Sequence, residues 1–146
     1  MEFDIIESDT INPTNFGRED VANFLYEHLD EYGDEKHDIL KCIGYAYGDK
    51  PGQGGLILVA HEDDTIKGSV IINDTQMNGY VPEHLLVYIA VHKEARGKGV
   101  GKQLMEEIID ATEGDIALHV EPNNPAKHLY EKYGFTNKYQ EMRLSK

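Results

Sequence analysis

The feature that most constrains this chain is a junction. The apolar run LeuLeuValTyrIleAlaVal at 85–91 is followed, five residues later, by Arg96-Gly97-Lys98-Gly99-Val100-Gly101-Lys102. Seven successive apolar residues suit a strand covered on both faces. Beyond the glycines, Val100, Leu104 and Ile108, with Met105 and Ile109 beside them, recur at helical spacing, and Glu106, Glu107, Asp110 and Glu113 fall outside that stripe. The spacing predicts a helix over 99–112 that packs one face on a sheet. A strand, RxxGxG and a helix make a cradle for a diphosphate: the first helical turn carries unpaired N–H groups and the positive end of the dipole, and glycine lets phosphate come close. A tight strand-to-helix turn with a solvated basic rim is the plainer reading of the same glycines.

Two other glycine loops fail here. A P-loop needs glycine five residues before Gly101, where Arg96 stands, and Ser or Thr after Lys102, where Gln103 stands. A dinucleotide fingerprint needs glycine at Lys102 or at Leu104, depending on register.

Charge separates the chain into two parts. Residues 1–92 hold 5 Lys and Arg against 18 Asp and Glu, whereas residues 93–146 hold 9 against 9, so the net charge of −13 belongs to the first part. Lys93, Arg96, Lys98 and Lys102 fall within ten residues opposed only by Glu94, a local anion site in an acidic protein. Nucleic acid is excluded as a partner by the overall field. No apolar run approaches 18 residues and the start MetGluPheAspIleIleGlu lacks a signal-peptide core, so no membrane is expected and a cytoplasmic location is. The single cysteine, Cys42, forbids an internal disulfide and reads as a small buried residue.

Around the junction the periodicities predict a strand at 3–8, helices at 18–29 and about 35–47, a hairpin of strands 56–61 and 68–73, a strand 116–120, a helix near 125–133, and a last strand pair or tail over 135–144. No repeat or linker interrupts them, so residues 1–146 read as one α/β domain with helices on the faces of a mixed sheet.

Arg96-Gly97-Lys98-Gly99-Val100-Gly101 resembles the Gln/Arg-x-x-Gly-x-Gly/Ala signature of the GNAT superfamily, the acyl-CoA-dependent N-acyltransferases. LeuHisVal at 118–120 with AsnAsnProAlaLysHisLeuTyrGluLysTyrGlyPhe at 123–135 is similar to that family's second block, Asn-x-x-Ala-x-x-x-Tyr-x-x-x-Gly-Phe. The two blocks cover about 50 residues. The resemblance implies a mostly antiparallel sheet with one splayed parallel strand pair and helices on both faces. It implies acetyl-CoA as the acyl donor, with Arg96, Gly97, Lys98, Gly99, Val100, Gly101 and Lys102 around the pyrophosphate. Backbone groups of Ile89, Ala90 and Val91 would serve the pantetheine arm or the oxyanion, Asn123 or Asn124 would touch the cofactor, and Tyr130 would face the thioester sulfur.

The acceptor implied is a small-molecule, peptide or protein amine, with a homodimer left open. Aminolysis of a thioester needs a base for the ammonium, a donor for the oxyanion and a proton for the leaving thiolate. A phenol of pKa about 10 suits the last task, for a thiolate of about 8.5 if it is like cysteine's. His119, the middle of LeuHisVal, is the first candidate base, since an imidazole titrating near about 6.5 can accept the proton directly or through water; a structural histidine is the plainer reading. Glu83 and His84 are the second candidates, although Leu85 stands where relatives carry a carboxylate, and Glu121 is the third. The remaining histidines, His28, His37, His61, His92 and His128, show no metal-ligand spacing, and no metal is expected.

The stretch 26–38 holds six carboxylates against one lysine where this family's first helices flank the acceptor, which nominates Tyr26, Glu27, Glu31 and Tyr32 as substrate-binding residues. Ordinary solvated helix surface is the alternative. A catalytically silent acyl-CoA-binding module that recognises a partner protein shares the RGKGVG loop and is the competing function.

Overall fold

The computed structural model describes every residue except Asp9. Five strands lie in chain order across one sheet: β1 (Glu2–Glu7), β2 (Gly55–Glu62), β3 (Thr65–Asp74), β4 (His84–Val91) and β5 (Ile116–Leu118). The first three pairings are antiparallel and the last, β4 with β5, is parallel. Parallel neighbours need a long crossover, and the helix α3 (Val100–Ala111) supplies it. The β2–β3 hairpin turns at Asp63 and Asp64, both at positive φ, where short acidic side chains are better tolerated than most.

Helices cover both faces. On one side α1 (Arg18–His28) and α2 (Lys36–Tyr47) bury Val21, Phe24, Leu25, Ile39 and Ile43 against Ile57, Ile71, Tyr88 and Ala90. On the other, α3 and the short α4 (Ala126–Lys132) bury Val100, Leu104, Ile108 and Tyr130 against Leu58, Val70 and Leu86. Gly68 allows α3 to sit close: a Cβ there would lie 2.9 Å from Leu104 Cδ1 and 3.3 Å from Val100 Cγ1.

One irregularity decides which face β4 offers to which layer. The register pairs Ile72 with Leu86 but Ile71 with Tyr88, so Val87 is an extra residue, a β-bulge. Leu86 joins the α3/α4 core, yet Tyr88 joins the α1/α2 core, whereas strict alternation would have put both on one side.

The predicted elements hold, with small changes at their ends. Helix α3 begins at Val100, with Gly99 as its cap, and Ile109 is 38% exposed rather than part of the core stripe. The strand predicted to Val120 ends at Leu118, and no strand forms after α4; residues 135–146 are irregular. No helix among the described residues is long and apolar enough to cross a membrane.

Candidate active site

The parallel pairing of β4 and β5 covers only His84–Leu86 against Ile116–Leu118, while β4 runs on to Val91. Its far end therefore faces β3 alone. Hydrogen-bond parity shows which groups point into the resulting gap. His92 N–H donates to Lys67 O at 2.8 Å, so in antiparallel alternation the pair Ala90–Ser69 is bonded and Ile89 and Val91 direct their backbone groups away from β3. The expectation for Ala90 is corrected: its amide belongs to the sheet. Ile89 and Val91 are the residues whose amides face the gap.

At the end of β4 the chain makes a short 3-10 turn, Lys93–Ala95, then enters the glycine loop. Gly97 and Gly99 sit at φ +76° and +82°, and a Cβ on either would meet nothing within 4 Å. The open space lies above the start of α3, whose first closing bond runs from Gln103 N–H to Gly99 O at 3.1 Å. Amides of Val100, Gly101 and Lys102 precede that bond and have no carbonyl within the helix to donate to. Lys98 and Lys102 are exposed beside them. This arrangement fits an anionic diphosphate. Gly101 faces Leu129 of α4, whose Cδ2 would lie 3.4 Å from a Cβ there, an ordinary packing contact.

The other cations are committed elsewhere. Arg96 donates from Nε to Val91 O at 3.2 Å and from Nη2 to His28 O at 2.7 Å, and Lys93 Nζ lies 2.9 Å from Asp30 Oδ1. Arg96 opens the loop expected around the pyrophosphate, but its side chain is used within the protein: it clips the end of β4 to the end of α1. Beneath it, His28 is buried with its ring 4.2 Å from that of His92 and accepts the Lys93 N–H at Nδ1. Burial, then the neighbouring His92, lowers the His28 pKa below the ordinary imidazole value.

Tyr130, on α4, belongs to the apolar cluster that includes Ile89, Val91, Leu118 and Val120, beside the gap, and its ring is 5.9 Å from that of Phe135. It is 7% exposed, and among the described residues its hydroxyl has no hydrogen-bond partner. Burial pushes the phenol up to about 12. Asn124 Oδ1 accepts from Ala126 N–H at 2.9 Å and so serves the start of α4, which leaves Asn123 as the asparagine with its side chain outward.

The candidate bases are placed less favourably. His119 lies one residue beyond β5 and is exposed, facing away from Ile116, Leu118 and Val120, which pack on the α3/α4 core. Glu83 Oε2 accepts from Asp115 N–H at 3.0 Å, and His84 contacts Asp74 Oδ1 at 2.7 Å and Glu113 O at 2.5 Å through its two ring nitrogens. Both sit at the closed end of the parallel pair. Glu121 is exposed in the loop after β5.

The α1–α2 connection forms the other wall. Tyr26, Glu27, Asp30, Gly33, Asp34 and Glu35 line a groove of about 510 Å³. Tyr32 reaches across and donates to Asn123 O at 3.3 Å, joining this connection to the loop after β5; Glu31 is exposed but does not line the groove. A residue the sequence reading missed closes the set: Tyr88, from the bulged strand, donates to Asp34 Oδ2 at 2.5 Å. Nothing in the alternation of residues 84–91 marks it, since only the bulge turns Tyr88 to this side.

The family model described as Acetyltransferase (GNAT) domain matches residues 53–137, more than half of the chain. The chain belongs to the GNAT acetyltransferase family. The sheet, its parallel pair and the glycine loop at α3 are this GNAT member's version of that fold. A 5-NmdU N-acetyltransferase of Pseudomonas phage PaMx11 is 36% identical over 84 residues, 56% of this chain and 58% of that one. The mouse cysteine-rich protein 2-binding protein is 29% identical over 80 residues, 54% of this chain and 10% of that one. The match thus spans just over half of the phage relative and a tenth of the mouse one. Among solved structures, the ribosomal-protein-alanine N-acetyltransferase of Brucella melitensis biovar Abortus 2308 superposes with TM-score 0.67 at 18% identity over 99% of each chain. An aminoglycoside N-acetyltransferase in complex with CoA does so with TM-score 0.68 at 18% identity, over 99% of this chain and 95% of that one. At such identities these two carry the fold alone.

Proposed function

We propose that this GNAT member transfers an acetyl group from acetyl-CoA to a primary amine, with a cationic acceptor preferred. The cosubstrate supplies an activated acetyl thioester when bound. The chain's own residues bind it in the gap: α3 amides and the Gly97–Gly99 loop take the diphosphate, Lys98 and Lys102 add charge, and the Ile89 and Val91 amides serve the arm and the thioester carbonyl. The observation that carries an enzymatic reading is Tyr130. A buried phenol with no protein partner, beside the gap between β4 and β5, suits donation of a proton to the leaving sulfur. Its raised pKa keeps it protonated at neutral pH.

The groove on the α1–α2 side supports a cationic acceptor. Asp30 is compensated by Lys93 and Arg96, but Glu27, Asp34 and Glu35 line the groove without a lysine or arginine ion pair among the described residues. Acceptor preference should weaken as salt rises, because exposed charges are screened over about 10 Å at 0.1 M.

Thiol release from acetyl-CoA, measured with spermidine, kanamycin, a lysine-bearing peptide and 5-NmdU, tests the reading. Release with at least one cationic amine supports it. CoA binding with no release from any of them would leave the silent binding module standing instead.

A further inference from the structure

We propose that Asp34 receives the acceptor's ammonium and takes its proton during transfer, and that Tyr88 is the positioning residue that holds Asp34 at the open end of β4. This rests on the acetyl-transfer reading above.

The geometry points there for three reasons. Asp34 lines the acidic groove, and its hydrogen bond to Tyr88 ties it to the strand whose next residue, Ile89, offers its backbone to the gap. One carboxylate oxygen, Oδ2, is used by Tyr88; Oδ1 has no hydrogen bond or ion pair among the described residues and is available to an ammonium. The other carboxylates and imidazoles have partners or stand on other elements: Glu83 and His84 hold the closed end of the parallel pair, Asp30 is paired with Lys93, and His119 and Glu121 belong to the segment after β5, where Glu121 faces Tyr32 rather than the Tyr88–Asp34 pair.

Tyr88 is suited to a fixed donor. It is 7% exposed, and burial, followed by the Asp34 carboxylate, pushes its phenol well above the ordinary value, so it remains a donor throughout the working range. The Val87 bulge is the device that points it at Asp34 rather than into the α3/α4 core. Tyr32, bonded to the loop after β5, anchors the neighbouring part of the same connection. The ionisable groups around the pair are Glu27, Asp30 and Glu35 from the groove and Asp38 and Cys42 from α2.

The step balances with these residues. An ammonium proton passes first to the Asp34 carboxylate, which frees the nitrogen lone pair, and the neutral amine then forms its bond to the acetyl carbon. The carbon–sulfur bond breaks, the sulfur keeps the electron pair and receives the Tyr130 proton, and the amide nitrogen's second proton is lost to solvent. Tyr130 is reprotonated from solvent and Asp34 releases its proton there, so one proton is released per amide formed from an ammonium.

The test compares wild type, Asp34→Asn, Asp34→Glu and Tyr88→Phe with whichever of spermidine, kanamycin, the lysine-bearing peptide or 5-NmdU wild type acetylates. Asp34 is exposed, so the asparagine is expected to leave the fold intact, and calorimetric CoA affinity checks this. Asp34→Asn should lower kcat/KM for the amine by about 100-fold, leave the KM for acetyl-CoA unchanged and remove the acidic limb of the pH profile. Asp34→Glu should recover part of that loss. Tyr88→Phe should lower kcat/KM for the amine by about tenfold with the KM for acetyl-CoA unchanged, because the carboxylate loses the hydrogen bond that anchors it. An Asp34→Asn enzyme within twofold of wild type, with the same acidic limb, overturns the assignment while acetyl transfer stands. If wild type releases no thiol with any probe, acetyl transfer itself fails, and this assignment fails with it.

Discussion

The Arg96 guanidinium donates to the His28 carbonyl at 2.7 Å while its Nε holds the Val91 carbonyl at 3.2 Å, so one side chain joins the last turn of α1 to the end of β4. The glycine loop starts at that clip. The end of α1 and the start of the glycine loop are therefore mechanically linked through one side chain. Arg96→Ala strands two carbonyls while Asp30 keeps Lys93, and it should cost about 1–3 kcal/mol of stability and weaken CoA binding several-fold. Thermal melts and calorimetry on the same variant would check both parts; unchanged CoA affinity would separate the clip from the loop.

Gly99 distinguishes a backbone cradle from a merely basic rim. At φ +82° a branched side chain is strained whatever the space around it, and its Cβ would enter the open region above α3. Gly99→Val should abolish measurable CoA binding or weaken it by about 100-fold, whereas Lys98→Ala should change it by about threefold or less. Equal affinities in the valine variant and wild type would remove the cradle.

Tyr130→Phe deletes one oxygen and keeps the ring against Phe135. If the phenol protonates the leaving sulfur, kcat falls by about ten- to a thousand-fold with CoA affinity retained. The measurement belongs in a single-turnover experiment, where product release cannot mask chemistry. A wild-type rate there would make Tyr130 a packing residue.

His28 sets an acid limit on stability. Its folded pKa is lowered, chiefly by burial and then by His92, with Lys93 and Arg96 adding to the effect and Glu27 opposing it. The unfolded chain then binds the proton first: stability is full above about 6.5 and is lost as pH falls from there toward the folded value, with a slope of at most about 1.4 kcal/mol per pH unit. His28→Asn keeps a side-chain acceptor for the Lys93 N–H and removes the titration. Urea midpoints between pH 7.5 and 5 should decline less in that variant than in wild type.

Much of the site was legible from residue order alone. The strand, the glycine loop and α3 are contiguous, and their physics is local: apolar runs form strands, glycines take positive φ, and first-turn amides lack acceptors. Tyr130 stands out through its place in a motif, whereas its burial beside the gap between β4 and β5 is visible only in the fold. The acidity of 26–38 was equally visible, although which carboxylates face the groove was not. The sequence nominates Glu31 and passes over Asp34, yet it is Asp34 that lines the groove, a difference only the folded connection decides.

What the amino-acid sequence determined by itself is the order of elements, the glycine-rich strand-to-helix junction and the family signature, since each depends on neighbours within about a dozen positions. What only the tertiary structure decided is where polar groups end up pointing. Ala90 is bonded to Ser69 while Ile89 and Val91 face the gap, because pairing with β3 consumes alternate amides. Arg96 turned inward because α1 ends 68 residues away in sequence and beside it in space. Tyr88 meets Asp34 across 54 residues because one extra residue, Val87, reverses the faces of β4. Such outcomes follow from long-range register and from which donor finds its acceptor in the folded chain, and no local pattern encodes them.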